Sequence, residues 1–203
     1  VGITLKQFEQ MKGRVAGGRR AAVPVFTENH RPPVASAHQV ILGVDPSLRG
    51  TGFGVIRAGK PHPRALAHGT IGCPAGWERS RCLVHITETL RDVLEQHRPT
   101  VCVIEGLFYA QNLQTALIMG EARGAALAAI AGAGLEIYEV APRKVKQAIV
   151  GFGGAQKLAV AKMVQRLLNL AELPAPDAAD ALALALTHAQ VNGRWSLSAP
   201  KRI

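Results

Sequence analysis

Apolar positions follow two rhythms along this chain. Val40-Ile41-Leu42-Gly43-Val44 and Val101-Cys102-Val103-Ile104 are unbroken apolar runs, closed by the carboxylates Asp45 and Glu105. Short runs without alternation predict strands buried on both faces. Turn residues Pro46-Ser47 and Gly50-Thr51-Gly52 follow the first run, and Phe53 to Arg57 and Ala65 to Gly72 predict two returning strands, ending at Cys73-Pro74. Elsewhere the period is helical. Leu83, Ile86, Leu90, Val93 and Leu94 predict a helix from Trp77 to His97, stopped by Arg98-Pro99, and a second helix runs from about Leu113 to Ala133. Leu135 to Val140 predicts a fifth strand. Beyond Pro142 to Val150 come a glycine loop at Gly151 to Gly154, a helix from Ala155 to Leu170, and a last helix opened by Pro174-Ala175-Pro176-Asp177. The order βββαβαβ followed by helices predicts an α/β domain: a mixed five-stranded sheet flanked by helices on both faces.

Residues 1–38 depart from these rhythms. They carry six basic residues against two acids, and Gly17-Gly18-Arg19-Arg20 and Arg31-Pro32-Pro33 interrupt any period, so they read as a basic disordered extension, or as an added tag or a start placed too far upstream. The predicted domain spans residues 39–191, and residues 192–203 predict a frayed basic tail. With 24 Lys and Arg against 14 Asp and Glu, the chain carries +10, of which +6 lies outside the extension. Such an excess points to a polyanionic partner. The longest apolar stretch, Gly124 to Leu135, has twelve residues, against the roughly 20 of a membrane-crossing helix, so no membrane role is expected. Three cysteines without CxxC spacing argue against a disulfide framework or a zinc knuckle, and free thiols fit a reducing cytoplasm.

The candidate chemistry lies in four acids. Asp45 and Glu105 end the two most apolar strands, at the edge where ligands bind in open α/β sheets. Asp177 and Asp180 are spaced i, i+3 and share a helix face. Each also has an ordinary explanation: Asp177 as an N-cap, Asp180 as a first-turn acid, Asp45 as a turn residue, Glu105 as half of an ion pair. The set is more telling than its members, because an unpaired charge at the end of a buried strand is expensive. Clustered carboxylates need cations or protons between them, and Mg²⁺ takes oxygen ligands of this kind. Two such ions, roughly 3.5–4 Å apart, serve in-line phosphodiester hydrolysis.

Several separated segments, Ile-Leu-Gly-Val-Asp45-Pro-Ser-Leu-Arg-Gly-Thr-Gly, Ile-Glu105-Gly-Leu-Phe108, Gly-Glu-Ala-Arg123-Gly, Pro142-Arg-Lys-Val-Lys146-Gln and Asp177-Ala-Ala-Asp180-Ala-Leu-Ala, resemble in order and spacing the RuvC family of Holliday junction resolvases. The resemblance runs from about Val40 to Ala189. It implies an RNase H-like fold and a homodimer that nicks opposing strands of a four-way DNA junction, leaving 5′-phosphate and 3′-hydroxyl ends. It also implies cooperation with a branch-migration motor of the RuvA–RuvB type. It assigns Asp45, Glu105, Asp177 and Asp180 as the acidic tetrad holding two Mg²⁺ ions, with Mn²⁺ as a substitute. Phe108 would stack on bases at the opened junction, and Lys146 and Lys157 would act near the scissile phosphate. Two departures stand out: residues 1–38 have no counterpart, and Gly106 follows Glu105 where a polar residue is familiar.

Around this set, Arg143, Lys144, Lys146 and Lys157 flank the glycine loop and suit DNA phosphates, or else form a solvated helix face. The loop is no Walker motif, because Gln156 stands where glycine is required and no Ser or Thr follows Lys157. Gly120, Gly124 and Ala128 form a small-residue face suited to a dimer contact or to packing within the domain, and His188 reads as a capping or core histidine. Rival functions are an ATPase domain of the actin and sugar-kinase type, suggested by the turn after Asp45, another RNase H-like nuclease acting on RNA, and a catalytically dead junction binder. The first needs a second domain, and the last should lack one of the acids.

Overall fold

The computed structural model describes residues 39–106, 112–191 and 201–203. The predicted extension over 1–38, Phe108, and most of the predicted tail lie outside the described residues. Five strands appear as the pattern predicts: β1 (Val40–Asp45), β2 (Gly50–Arg57), β3 (Arg64–Gly72), β4 (Val101–Glu105) and β5 (Glu136–Val140). The helices are α1 (Arg79–His97), α2 (Leu113–Gly132), α3 (Pro142–Val150), α4 (Lys157–Leu168) and α5 (Pro176–Val191). A sixth strand corrects the five-stranded expectation. Lys201–Arg202 forms β6 antiparallel to β5, with Tyr138 opposite Arg202 and Glu139 opposite Lys201. Arg202 also forms a 3.0 Å ion pair with Glu136. Two residues between polar flanks carry no period, which is why the tail reads as unstructured in sequence.

The sheet order is β3-β2-β1-β4-β5-β6. β1 runs antiparallel to β2 and parallel to β4, and β4 runs parallel to β5. The apolar runs bury side chains on both faces. Leu42, Val44, Cys102 and Ile104 pack against α1 and α2 through Ile86, Leu90, Ala126 and Ile130. Ile41, Val101 and Val103 face the other layer, where Val145 of α3, Val164 of α4 and Leu182 of α5 complete a second core. Segment 142–150, which the apolar pattern leaves unassigned, is helical because Pro142 occupies the first turn and Gly151, at φ 84°, closes the end in the left-handed conformation. Among the described residues, no helix is long and apolar enough to cross a membrane.

One packing relation positions the rest. α5 lies on β1 and β2 with its backbone directly against Gly43 and Gly52. A Cβ on Gly43 would collide with the carbonyl oxygen of Ala181, and one on Gly52 with that of Asp177. On Gly54 it would stand 2.8 Å from the Leu182 side chain. Facing alanines on α5, including Ala178, Ala181 and Ala185, are fully buried. Gly43→Ala must therefore push helix from strand. A loss of roughly 3 kcal/mol or more is expected, at the severe end of overpacking because backbone cannot rotate aside, and is measurable by denaturant unfolding.

Candidate active site

β1 and β4 are parallel neighbours with Val44 level with Ile104, so their terminal acids Asp45 and Glu105 emerge side by side. Their carboxyl groups are hydrogen-bonded to each other. On the other side of β1, Asp45 is level with Gly52, the residue on which the backbone of Asp177 rests. Asp180, one helical turn further, acts electrostatically on both Asp45 and Glu105. The structure thus brings Asp45, Glu105 and Asp180 within electrostatic reach of one another, while the Asp177 carboxylate lies beside Gly50 at the start of β2. Asp177 lies inside the first turn of α5.

Burial and mutual repulsion shape the titration of this group. Burial pushes the Asp45 carboxyl from 3.8 up to about 8, with further upward pressure from Glu105 and Asp180 and a downward pull from Lys157. Glu105 is also displaced upward, chiefly by burial. The pair behaves as two carboxyl groups sharing a proton. Lys157 Nζ donates to Asp180 Oδ2 at 2.8 Å, and this hydrogen bond raises the affinity of the amine for its proton. Lys146 lowers Glu105 electrostatically, so both lysines predicted for the site stand where their charge reaches the acids. Arg143 lies against Gly153 of the glycine loop, and Lys144 is exposed on the first turn of α3.

Among the described residues, no group of three or more His, Cys, Asp or Glu side chains forms a ready metal cage. Asp45 and Glu105 instead act on each other, Asp180 is paired with the Lys157 ammonium, and the Asp177 carboxylate lies beside Gly50. The donor set nevertheless fits a hard divalent cation: every donor is a carboxylate oxygen, and each neutralising partner, a proton or a lysine, is displaceable.

Two supports escaped the sequence reading. The turn after Asp45 is pinned by buried Thr51, whose Oγ1 donates to the Ser47 carbonyl at 2.6 Å and accepts from the Ser47 amide at 3.2 Å. The second is Arg123, the only charged residue buried among those described. From α2 it donates to the main-chain carbonyl of Glu105 and to the carboxylate of Glu139 on β5. Its place in a Gly-Glu-Ala-Arg-Gly segment amid small apolar residues was the available signal. His188 is buried in the core, its ring 4.9 Å from that of Tyr138.

Two outcomes follow from this electrostatic arrangement. Because Asp45 titrates higher folded than unfolded, its stabilising contribution is complete below pH 3.8 and is lost as pH rises to about 8. Thermal unfolding in chelator should show this loss across that window, flattened in Asp45→Asn. Arg123→Met should cost roughly 2–4 kcal/mol, below the full range for a broken buried pair because Glu139 is part-exposed, with partial recovery in Arg123→Met/Glu139→Gln. Denaturant titration of both variants measures it.

The family model for crossover junction endodeoxyribonuclease RuvC matches residues 41–188. The crossover junction endodeoxyribonuclease RuvC of Akkermansia muciniphila is 44% identical over 148 residues, covering 73% of this chain and 89% of that protein. Its counterpart in Bordetella parapertussis is 46% identical over 151 residues, covering 74% and 83%. Among solved structures, Thermus thermophilus RuvC in complex with a Holliday junction substrate superposes with a TM-score of 0.73 at 34% identity, covering 82% of this chain and 100% of that one. Sequence and fold thus agree over the described domain: the chain belongs to the RuvC family of crossover junction endodeoxyribonucleases.

Proposed function

We propose that this protein is an endodeoxyribonuclease that resolves four-way DNA junctions in recombination and repair, hydrolysing phosphodiesters at the site formed by Asp45, Glu105, Asp177 and Asp180. The single observation that carries this reading is the convergence of these acids from β1, β4 and α5 at one end of the sheet, in a chain whose relatives are named for junction cleavage. The four carboxylates are the donors for two Mg²⁺ ions, or Mn²⁺ in their place. When bound, these ions supply activation of the attacking water and stabilisation of the leaving oxygen.

The chain's own residues prepare that chemistry. The β1–β4 register holds Asp45 and Glu105 in fixed relation, and the rigid turn at Ser47–Thr51 keeps the strand end from sliding. Lys157 balances Asp180 while the site is empty of substrate, then offers its ammonium to the scissile phosphate. Lys146 adds charge on the Glu105 side, with Arg143 and Lys144 available to the flanking backbone. Cleavage leaves 5′-phosphate and 3′-hydroxyl ends. Phe108 is assigned to base stacking on its position after Glu105.

A second copy of the chain matches the two-fold character of the substrate. Support comes from α2, where Gly124 and Ala128 are exposed beside Leu113 and Leu117, 76% and 58% exposed. A Cβ on Gly120 or Gly124 would meet nothing within 4 Å, so this face is not filled from within the described domain. We place the protein in the bacterial cytoplasm at the nucleoid, downstream of a RuvA–RuvB type branch-migration motor.

The test is scission of an end-labelled four-way junction in Mg²⁺, beside a linear duplex and an RNA–DNA hybrid of the same sequence. Paired, religatable nicks confined to the junction are expected. Asp45→Asn should lower the rate at least about a thousandfold, the kinetic equivalent of several kcal/mol of lost transition-state stabilisation. Cleavage of the hybrid instead would move the activity to RNA, and binding without cleavage by the unaltered chain would make it a structural junction binder.

A further inference from the structure

The glycine loop between α3 and α4 carries an aromatic side chain in an unusual setting. Phe152 is 68% exposed, and no other aromatic residue among those described reaches such exposure. Its ring is seated, because a Cβ on Gly154 would stand 2.8 Å from both Cε1 and Cζ. The adjacent Gly153 is covered in the same way by Arg143, whose Cγ would lie 2.6 Å from a Cβ there. The two glycines thus make room for two side chains, a ring and a guanidinium stem, on one short loop. The Phe152 carbonyl accepts from the Ala155 amide at 3.1 Å, which closes the loop back toward α4.

Its surroundings select the partner. Lys157, two residues beyond that closure, reaches Asp180, and Lys146, from the preceding helix, influences Glu105. Arg143 adds charge against the loop, and Lys144 on α3 and Leu158 on α4 are exposed on the helices that flank it. An exposed ring amid cations and next to a phosphodiester-cleaving site is poorly placed for an apolar protein partner. It is well placed for a nucleobase whose phosphates lie on the lysines, since every base offers a π-face for stacking.

We propose that Phe152 is a nucleobase-stacking platform, engaging an unpaired base of the strand being cut on the α3–α4 side of the site. The assignment rests on the junction-cleaving reading above. It concerns a different loop from that of Phe108: both aromatics fall between Glu105 and Asp177 in the chain, one after β4 and one before α4.

The test uses the full chain and four-way junctions carrying 2-aminopurine singly at each position flanking the crossover, with Asp45→Asn in the background to keep the substrate intact. Fluorescence at one or more of these positions should differ between Phe152 and Phe152→Ala. Junction affinity should fall roughly five- to hundredfold in Phe152→Ala, as for the loss of one stacked base, while affinity for linear duplex stays constant. Phe152→Trp should retain binding, and Phe152→Leu, which keeps an apolar side chain without a π-face, should behave as Phe152→Ala. Unchanged 2-aminopurine signals in Phe152→Ala, or full junction affinity in Phe152→Leu, would overturn the proposal. If the unaltered chain cuts junctions and the Phe152 variants bind and fluoresce as Asp45→Asn alone does, only the stacking role fails. If the unaltered chain leaves junctions uncut, the functional reading itself fails.

Discussion

The site exists because a helix touches a sheet backbone to backbone. Most helices ride on sheets with a layer of side chains between, which keeps their termini well away from the strand ends. Here Gly43 and Gly52 on the sheet, and alanines on α5, remove that layer where helix and strands cross. The first turn of α5 therefore drops to the level of the β1 terminus, bringing carboxylates from distant parts of the chain within electrostatic reach. Glycine inside strands and alanine on a core-facing helix both reduce buried apolar area, so the arrangement gives up some packing energy for proximity.

That proximity creates a second problem, four acids at the end of an apolar core. The fold relieves it with three different devices. Burial beside Glu105 favours the protonated form of Asp45, an exposed lysine leans on Asp180, and a buried arginine braces the Glu105 main chain from behind. Only the arginine is buried and bonded on two sides, so it belongs to the permanent frame, whereas proton and lysine occupy the front and are exchangeable. Functional sites commonly carry this kind of locally unfavourable electrostatics, compensated by the surrounding scaffold.

The framework was legible in the residues because its signals are strong. Two uninterrupted apolar runs each ending in an acid place Asp45 and Glu105 without ambiguity, and i, i+3 spacing pairs Asp177 with Asp180. Less legible were features that depend on tertiary contact. Arg123 sits in an alanine- and glycine-rich helix whose periodicity is blurred by small residues, so nothing local marks its inward direction. Segment 142–150 is too short and too basic for a clear apolar stripe, and only its Pro and Gly boundaries disclose a helix. Phe152 gave no periodic signal at all. Its exposure follows from the loop conformation set by Gly151, which local sequence does not encode as a direction.

The pairing of Lys201–Arg202 with β5 bears on how the sheet meets other molecules. Without it, β5 would present a row of unused amides and carbonyls, a template onto which an extended strand from another polypeptide could add. β6 occupies that edge from Tyr138 to Glu139, and the Ile203 amide bonds the Ile137 carbonyl at 3.0 Å. Both β6 side chains are cationic, so any strand approaching the same edge also encounters like charges on a protein already rich in them. The outermost strand on this margin is thus only two residues long and doubly cationic, a poor template for a further strand.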